Sequence, residues 1–192
     1  MVDEEATKTM RENGIDFAFL SFDESRDLQT IEMCEKYDIK CILRDWDLFF
    51  HGGGENLQIP TLETFQTRLS DAVISNPAVI GHLLVDEPVI EGLVKVGEGV
   101  DLYKSVNTEL IPFVNLYPNV VYNTEKYLEY LDLFIKETEN DYISFDIYPL
   151  RSTNMTQNNY YNNLNQVSKA AKANNIDYWI FIQSMPLGDR CV

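Results

Sequence analysis

Six short runs of apolar and aromatic residues recur along the chain, and they carry almost no polar alternation. They are Phe17 to Phe22 (FAFLSF), Lys40 to Arg44 (KCILR), Ile80 to Val85 (IGHLLV), Ile111 to Leu116 (IPFVNL), Tyr142 to Ile147 (YISFDI) and Tyr178 to Ile182 (YWIFI). A strand exposed on one face alternates apolar and polar side chains; a continuous run suits a parallel strand covered on both faces. The segments between them keep a helical period. In Thr124 to Thr138, Tyr127, Leu128, Leu131 and Phe134 line one stripe. Glu24 to Tyr37, Leu62 to Ser75 and Gln157 to Asn174 read the same way, and Glu4 to Glu12 is a further helix closed by Asn13-Gly14.

Strand starts at residues 17, 40, 80, 111, 142 and 178 give the spacing of βα repeats. A complete eight-stranded barrel takes about 250 residues, more than the 192 here. The expectation is a single partial domain over residues 1–192: about six βα units of a (β/α)8 TIM-barrel-like fold, with the first and last strands absent. An open doubly wound parallel sheet satisfies the same count.

Composition narrows the function. With 45% hydrophobic and 24% charged residues the chain has material for a core. Its 31 acidic against 15 basic residues leave a net charge of −16, which argues against phosphate backbones or anionic lipid as partners. No apolar run approaches the length of a membrane span, and the acidic first residues are unlike a signal peptide. Compartment stays undetermined. Cys34, Cys41 and Cys191 lack paired spacing, and two histidines, His51 and His82, make no ligand set. Neither a metal nor another cofactor is expected. His82 sits inside a strand pattern and reads as a hydrogen-bonded core histidine; His51 reads as a solvated loop residue. Gly52 to Gly54 has no following Lys-Ser/Thr and is not a phosphate loop.

The informative residues follow the strands. In order, the strand ends carry Asp23-Glu24, then Arg44-Asp45-Trp46-Asp47, Asp86-Glu87-Pro88, Asn115-Leu116-Tyr117-Pro118, Asp146-Ile147-Tyr148-Pro149 and Gln183-Ser184-Met185-Pro186. The carboxyl ends of parallel strands face one side, where α/β active sites form. Carboxylates and amides there suit sugar hydroxyls, and Trp46, Tyr117 and Tyr148 suit the apolar faces of sugar rings. Glycoside hydrolysis needs two carboxyl groups, one of them kept protonated by burial or a like charge. Asp86 and Glu87 are neighbours, and adjacent strand residues point to opposite faces, so the two do not form the working pair themselves. One of them projects into the site and the other packs or orients.

The segment Asn76 to Pro88 (NPAVIGHLLVDEP), followed by VNLYP, SFDIYP and YWIFIQSMP, resembles the clan A glycoside hydrolases, nearest to barrel enzymes similar to family 42 beta-galactosidases. The resemblance runs from about Gly14 to Pro186. It implies a hydrolase of O-glycosidic bonds on oligo- or polysaccharide, with Glu87 as general acid/base at the end of the fourth barrel strand. Two departures stand out. The clan has asparagine where this chain has Asp86, and its nucleophile is a glutamate at the end of the seventh strand, where this chain has Ile182 or Gln183.

Asp146, two strands from Glu87, is the candidate second catalytic carboxylate, at a separation approaching the ~6.5–9.5 Å of an inverting pair; Asp45 or Asp47 is the alternative. Asp86, Asn115, Tyr148, Arg44, Asp45, Trp46 and Gln183 are the candidate substrate-binding residues. Arg44 is expected to pair with Asp45, Asp47 or Asp86, and Trp46 is a sugar platform or loop packing. Tyr127, Tyr130, Tyr160 and Tyr161 read as packing residues. The alternative function is a non-catalytic carbohydrate-binding or structural module on a degenerate barrel, with an oligomer covering open sheet edges.

Overall fold

The computed structural model describes residues 4–21, 24–70, 76–150 and 157–182. Helix α1 (Glu4–Glu12) precedes strand β1 (Phe17–Ser21). Then come α2 (Glu24–Lys36), β2 (Lys40–Arg44), α3 (Leu62–Leu69), β3 (Val79–Asp86), α4 (Leu93–Val106), β4 (Ile111–Leu116), α5 (Thr124–Thr138), β5 (Tyr142–Asp146), α6 (Gln157–Asn174) and β6 (Asp177–Phe181). Helix α4, which its two internal glycines hide from the periodic pattern, completes the alternation of strand and helix.

The strands hydrogen-bond in the order β1-β2-β3-β4-β5-β6. A doubly wound sheet reverses direction at a switch point. This order never reverses, so the open-sheet alternative is excluded, and an incomplete (β/α) barrel-like fold is what the topology matches. Pairing is parallel between β1 and β2, β2 and β3, β4 and β5, and β5 and β6.

The chain divides into two compact units. The first takes in the described parts of Met1–Gly52, Leu57–Val85 and Glu98–Phe113; the second takes in those of Gly53–Asn56, Asp86–Gly97 and Val114–Val192. In the first, Ile31, Cys34, Ile39, Cys41, Leu43, Ala78 and Val79 form a buried cluster with Met10, Ala18 and Leu20 against it. Cys34 and Cys41 are free thiols buried in this apolar setting; Cys191 lies outside the described residues. Arg11 ties α1 to the turns around it by pairing with Asp16 and Asp38. His82 is fully buried, with Nδ1 at 2.7 Å from the Tyr103 hydroxyl, so the core-histidine reading holds. Burial, helped by the Arg68 charge, pushes its pKa down to about 3 and keeps the ring neutral. Gly99 is required by close approach: a Cβ there would meet the Phe50 ring at 2.3 Å.

In the second unit Tyr127, Leu131 and Phe134 of the stripe read from sequence are buried on α5 together with Tyr130, while Leu128 is 41% exposed. Asn123 caps that helix by accepting from the Lys126 N–H at 2.9 Å, and Glu139 ends it at φ 47°. The polar face of α6 is partly internal. Asn163 accepts from the Asn119 N–H at 2.6 Å and donates to the Tyr127 hydroxyl at 2.9 Å, while Gln166 accepts from Asn119 Nδ2 at 2.7 Å. These bonds satisfy buried amides that would otherwise cost stability. Gly97 admits the Glu137 carbonyl, which a Cβ would meet at 2.3 Å. Tyr127 and Tyr130 pack as expected; Tyr161 is exposed, because it lies on the outer side of α6.

Candidate functional site

The second unit gathers a polar cluster from consecutive strand ends. Asn115 near the end of β4 and Ser144 in β5 are register partners. Asp146 lies two residues beyond Ser144, so a period of two puts all three side chains on one face. All three are buried. Asn115 Nδ2 donates to Asp86 Oδ1 at 3.1 Å, and Asn115 Oδ1 accepts from the Ser144 hydroxyl at 3.4 Å. One amide thus ties Asp86 to β5.

Glu87 sits just past β3, with φ at 51°. A left-handed conformation costs a non-glycine residue about 1–2 kcal/mol, and such strain gathers where surrounding bonds over-determine it. Those bonds are present. The Glu87 N–H donates to the Asn115 carbonyl at 2.8 Å, and the Pro88 carbonyl accepts from the Tyr130 hydroxyl at 2.6 Å. The same hydroxyl accepts from the Tyr117 N–H at 3.3 Å, and Tyr122 accepts from the Ile90 N–H at 3.1 Å. The chain turns at Glu87, and the Asp86 charge adds to the rise of its pKa.

The electrostatics follow from burial and crowding of like charges. Burial, then the charge of Asp146, then that of Asp86, raises the Glu87 pKa from 4.5 to about 7, and a hydrogen bond with Asp146 adds to the rise. Burial also raises Asp146, opposed by hydrogen bonds from Tyr148 and Asn115 that favour its ionised form. Tyr148 and Tyr117 are pushed up, each by burial first. Tyr148 adds its bond to Asp146, and Tyr117 adds the nearby carboxylate charges. Both phenols are therefore donors at neutral pH. Glu87 carries a proton up to about pH 7.

Asp146, 8% exposed at the end of β5, is close enough for its charge to act on the Glu87 carboxyl.

The first unit holds the other candidates. Asp45 is 3% exposed; its Oδ2 accepts from Arg68 Nε at 3.1 Å and from a terminal Arg68 nitrogen at 2.8 Å, and its Oδ1 accepts from the Asp47 N–H at 3.0 Å. Arg44 does not pair with Asp45 or Asp47. Its guanidinium lies 4.6 Å from the ring centroids of both Trp46 and Phe49, since Arg68 from α3 already neutralises Asp45. Trp46 is 50% exposed and has the His51 ring stacked on it at 6.3 Å. Gln183 lies outside the described residues. Among the described residues no group of three or more His, Cys, Asp or Glu side chains is arranged to hold a metal, and no helix is long and apolar enough to cross a membrane.

Sequence reasoning missed Arg68, Ser144 and the structural roles of the Tyr122 and Tyr130 hydroxyls. Ser144 was accessible through its two-residue offset from Asp146. Arg68 carried no signal, since nothing in α3 says which carboxylate it reaches.

No family model matches the chain, and no curated protein matches it. Solved structures that share its fold include the following two. The chain superposes on Thermomonospora fusca β-mannanase, solved in complex with mannohexaose, at TM-score 0.53 and 12% identity, over 97% of this chain and 75% of that one. On a Thermobacillus composti GH10 xylanase it gives TM-score 0.51 and 14% identity, over 89% of this chain and 58% of that one. The class is thus an incomplete TIM-barrel-like α/β fold. Its particular neighbours are glycoside hydrolases, which the chain resembles in fold and of which it spans about three fifths to three quarters.

Proposed function

We propose that this chain is a glycoside hydrolase-like protein acting on O-glycosidic bonds of carbohydrate, with Glu87 as the proton donor. One observation carries the reading: at a strand end of a barrel-like fold, burial and the nearby charges of Asp146 and Asp86 hold the Glu87 carboxyl protonated to about pH 7. A general acid works best with a pKa near the working pH, and departure of a sugar alcohol needs such a proton. Tyr148 and Tyr117 add aromatic faces and hydroxyl donors beside it, and Asn115 and Asp86 add partners for sugar hydroxyls. The NPAVIGHLLVDEP and SFDIYP segments support kinship with family 42-like barrels within this reading.

The test is a panel of aryl-glycosides with wild type and Glu87→Gln. Removing a general acid lowers turnover by about 10²–10⁴-fold. Equal turnover by the two proteins overturns the assignment.

A second reading, a non-catalytic carbohydrate-binding or structural module, is favoured by the absence of a carboxylate in YWIFIQSMP. Sugar-dependent thermal stabilisation without hydrolysis selects it. A second copy covering β1 or β6, the end strands of the sheet order, belongs to the same proposal. Light scattering reads it.

A further inference from the structure

In a parallel ladder, the residue whose N–H donates to the Asn115 carbonyl would accept the Tyr117 N–H on its own carbonyl. Glu87 makes the first of these bonds, at 2.8 Å. The second runs to a side chain: the Tyr117 N–H donates to the Tyr130 hydroxyl at 3.3 Å. That hydroxyl donates in turn to the Pro88 carbonyl at 2.6 Å. A phenol has one proton to give and lone pairs to accept with, so it serves both backbone groups at once. It completes the ladder at the point where the chain turns left-handed, with Glu87 at φ 51°.

The turn needs such a support. A residue before proline ordinarily holds an extended φ of about −120°, and a left-handed φ disfavours any residue with a Cβ. Glu87 meets both penalties, so bonds from outside the turn must hold it. Tyr130 supplies one from α5, with its ring fully buried. The Tyr122 and Tyr127 ring centroids lie 5.1 and 6.1 Å from its own, which fixes where the hydroxyl points. Asn115 adds two more bonds to the same turn, through its carbonyl to the Glu87 N–H and through Nδ2 to Asp86 Oδ1 at 3.1 Å.

We infer that Tyr130 is a positioning residue for the proton donor: its hydroxyl locks the turn at Asp86, Glu87 and Pro88 to the end of β4, and so fixes the direction in which the Glu87 carboxyl leaves the backbone. This rests on the reading of Glu87 as proton donor. Being fully buried, Tyr130 acts through the turn and not on a sugar. Tyr127 supplies the contrast. It lies on the same helix and is equally buried, but its hydroxyl accepts from Asn163 Nδ2 at 2.9 Å, a bond to α6 rather than to the turn.

The experiment compares Tyr130→Phe with Tyr127→Phe, each of which removes one buried hydroxyl and keeps the ring. Both are expected to lower the melting temperature by a similar amount. Only Tyr130→Phe is expected to lower kcat on aryl-glycosides, by about 10–100-fold with KM unchanged, because a small misplacement of the reacting group is enough. Only Tyr130→Phe is expected to move the Glu87 titration, read by carbon-13 NMR, from about 7 toward 4.5, since a released carboxyl swings out of its buried setting. In the wild type the Tyr117 and Glu87 amides are expected to exchange with solvent slowly and at one rate, as parts of one latch. Equal kcat and equal Glu87 midpoints in the two variants overturn the positioning role and leave Glu87 as proton donor standing. Fast exchange at Tyr117 overturns that role too, whether or not Tyr130→Phe folds. A wild-type Glu87 midpoint at 4.5, or no wild-type hydrolysis of any aryl-glycoside, overturns the proton donor and the positioning role together.

Discussion

Two buried aspartates at strand ends, one in each unit, have opposite surroundings. Asp45 follows β2 and meets the Arg68 guanidinium on one oxygen and a backbone N–H on the other. Asp146 ends β5 among like charges: burial raises it, and its charge and that of Asp86 raise Glu87. Among the described residues no ion pair reaches Asp146 or Glu87. A carboxylate given a cation holds structure together. Carboxylates crowded without one keep a proton to higher pH, and such a proton is what acid catalysis uses.

Substitutions break this contrast in a graded way. The largest effect is Glu87→Gln, for which hydrolysis of aryl-glycosides falls by about 10²–10⁴-fold while circular dichroism stays unchanged. Next comes Arg68→Ala, which leaves Asp45 buried and uncompensated. Urea unfolding is expected to show a loss of about 3–5 kcal/mol, since breaking a buried pair on one side strands a charge. Asp146→Asn, which strands none, is expected to cost far less stability and to move the alkaline limb of the pH–rate profile to lower pH. That shift follows because the Asp146 charge is the largest influence on Glu87 after burial.

The pH dependence of stability sharpens the same comparison. Glu87 binds its proton more tightly in the folded chain, at about 7 against an ordinary 4.5. Its contribution is therefore fully present below about 4.5 and is lost as pH rises through about 7. Melting temperatures measured across that range are expected to fall in wild type and to flatten in Glu87→Gln. The smallest effect is conformational. Glu139 closes α5 at φ 47°, so Glu139→Gly is expected to stabilise the chain by about 0.5–1 kcal/mol in the same unfolding assay.

The elements were legible to the degree that their periods were clean. Helix α1, β2, β4, α5 and α6 match the sequence reading at both ends, because apolar runs and the stripe of Tyr127, Leu131 and Phe134 leave little choice of register. Helix α4 was not legible, since Gly97 and Gly99 weaken its propensity while serving contacts with Glu137 and Phe50 that only coordinates reveal. Site residue types were legible for a topological reason: parallel strands deliver their ends to one side, so Asp86, Glu87, Asn115 and Asp146 could be named. Their distances were not. The left-handed turn at Glu87 and the choice of Arg68 over Arg44 as the partner of Asp45 both depend on packing between segments far apart in sequence.

The most direct test is a carbon-13 NMR titration of glutamate side-chain carboxyls, with Glu87→Gln to assign the signal. A Glu87 midpoint near 7 that drops in Asp146→Asn is the expected result. A midpoint at the ordinary 4.5, indifferent to Asp146, contradicts the crowding of like charges and with it the role given to Glu87.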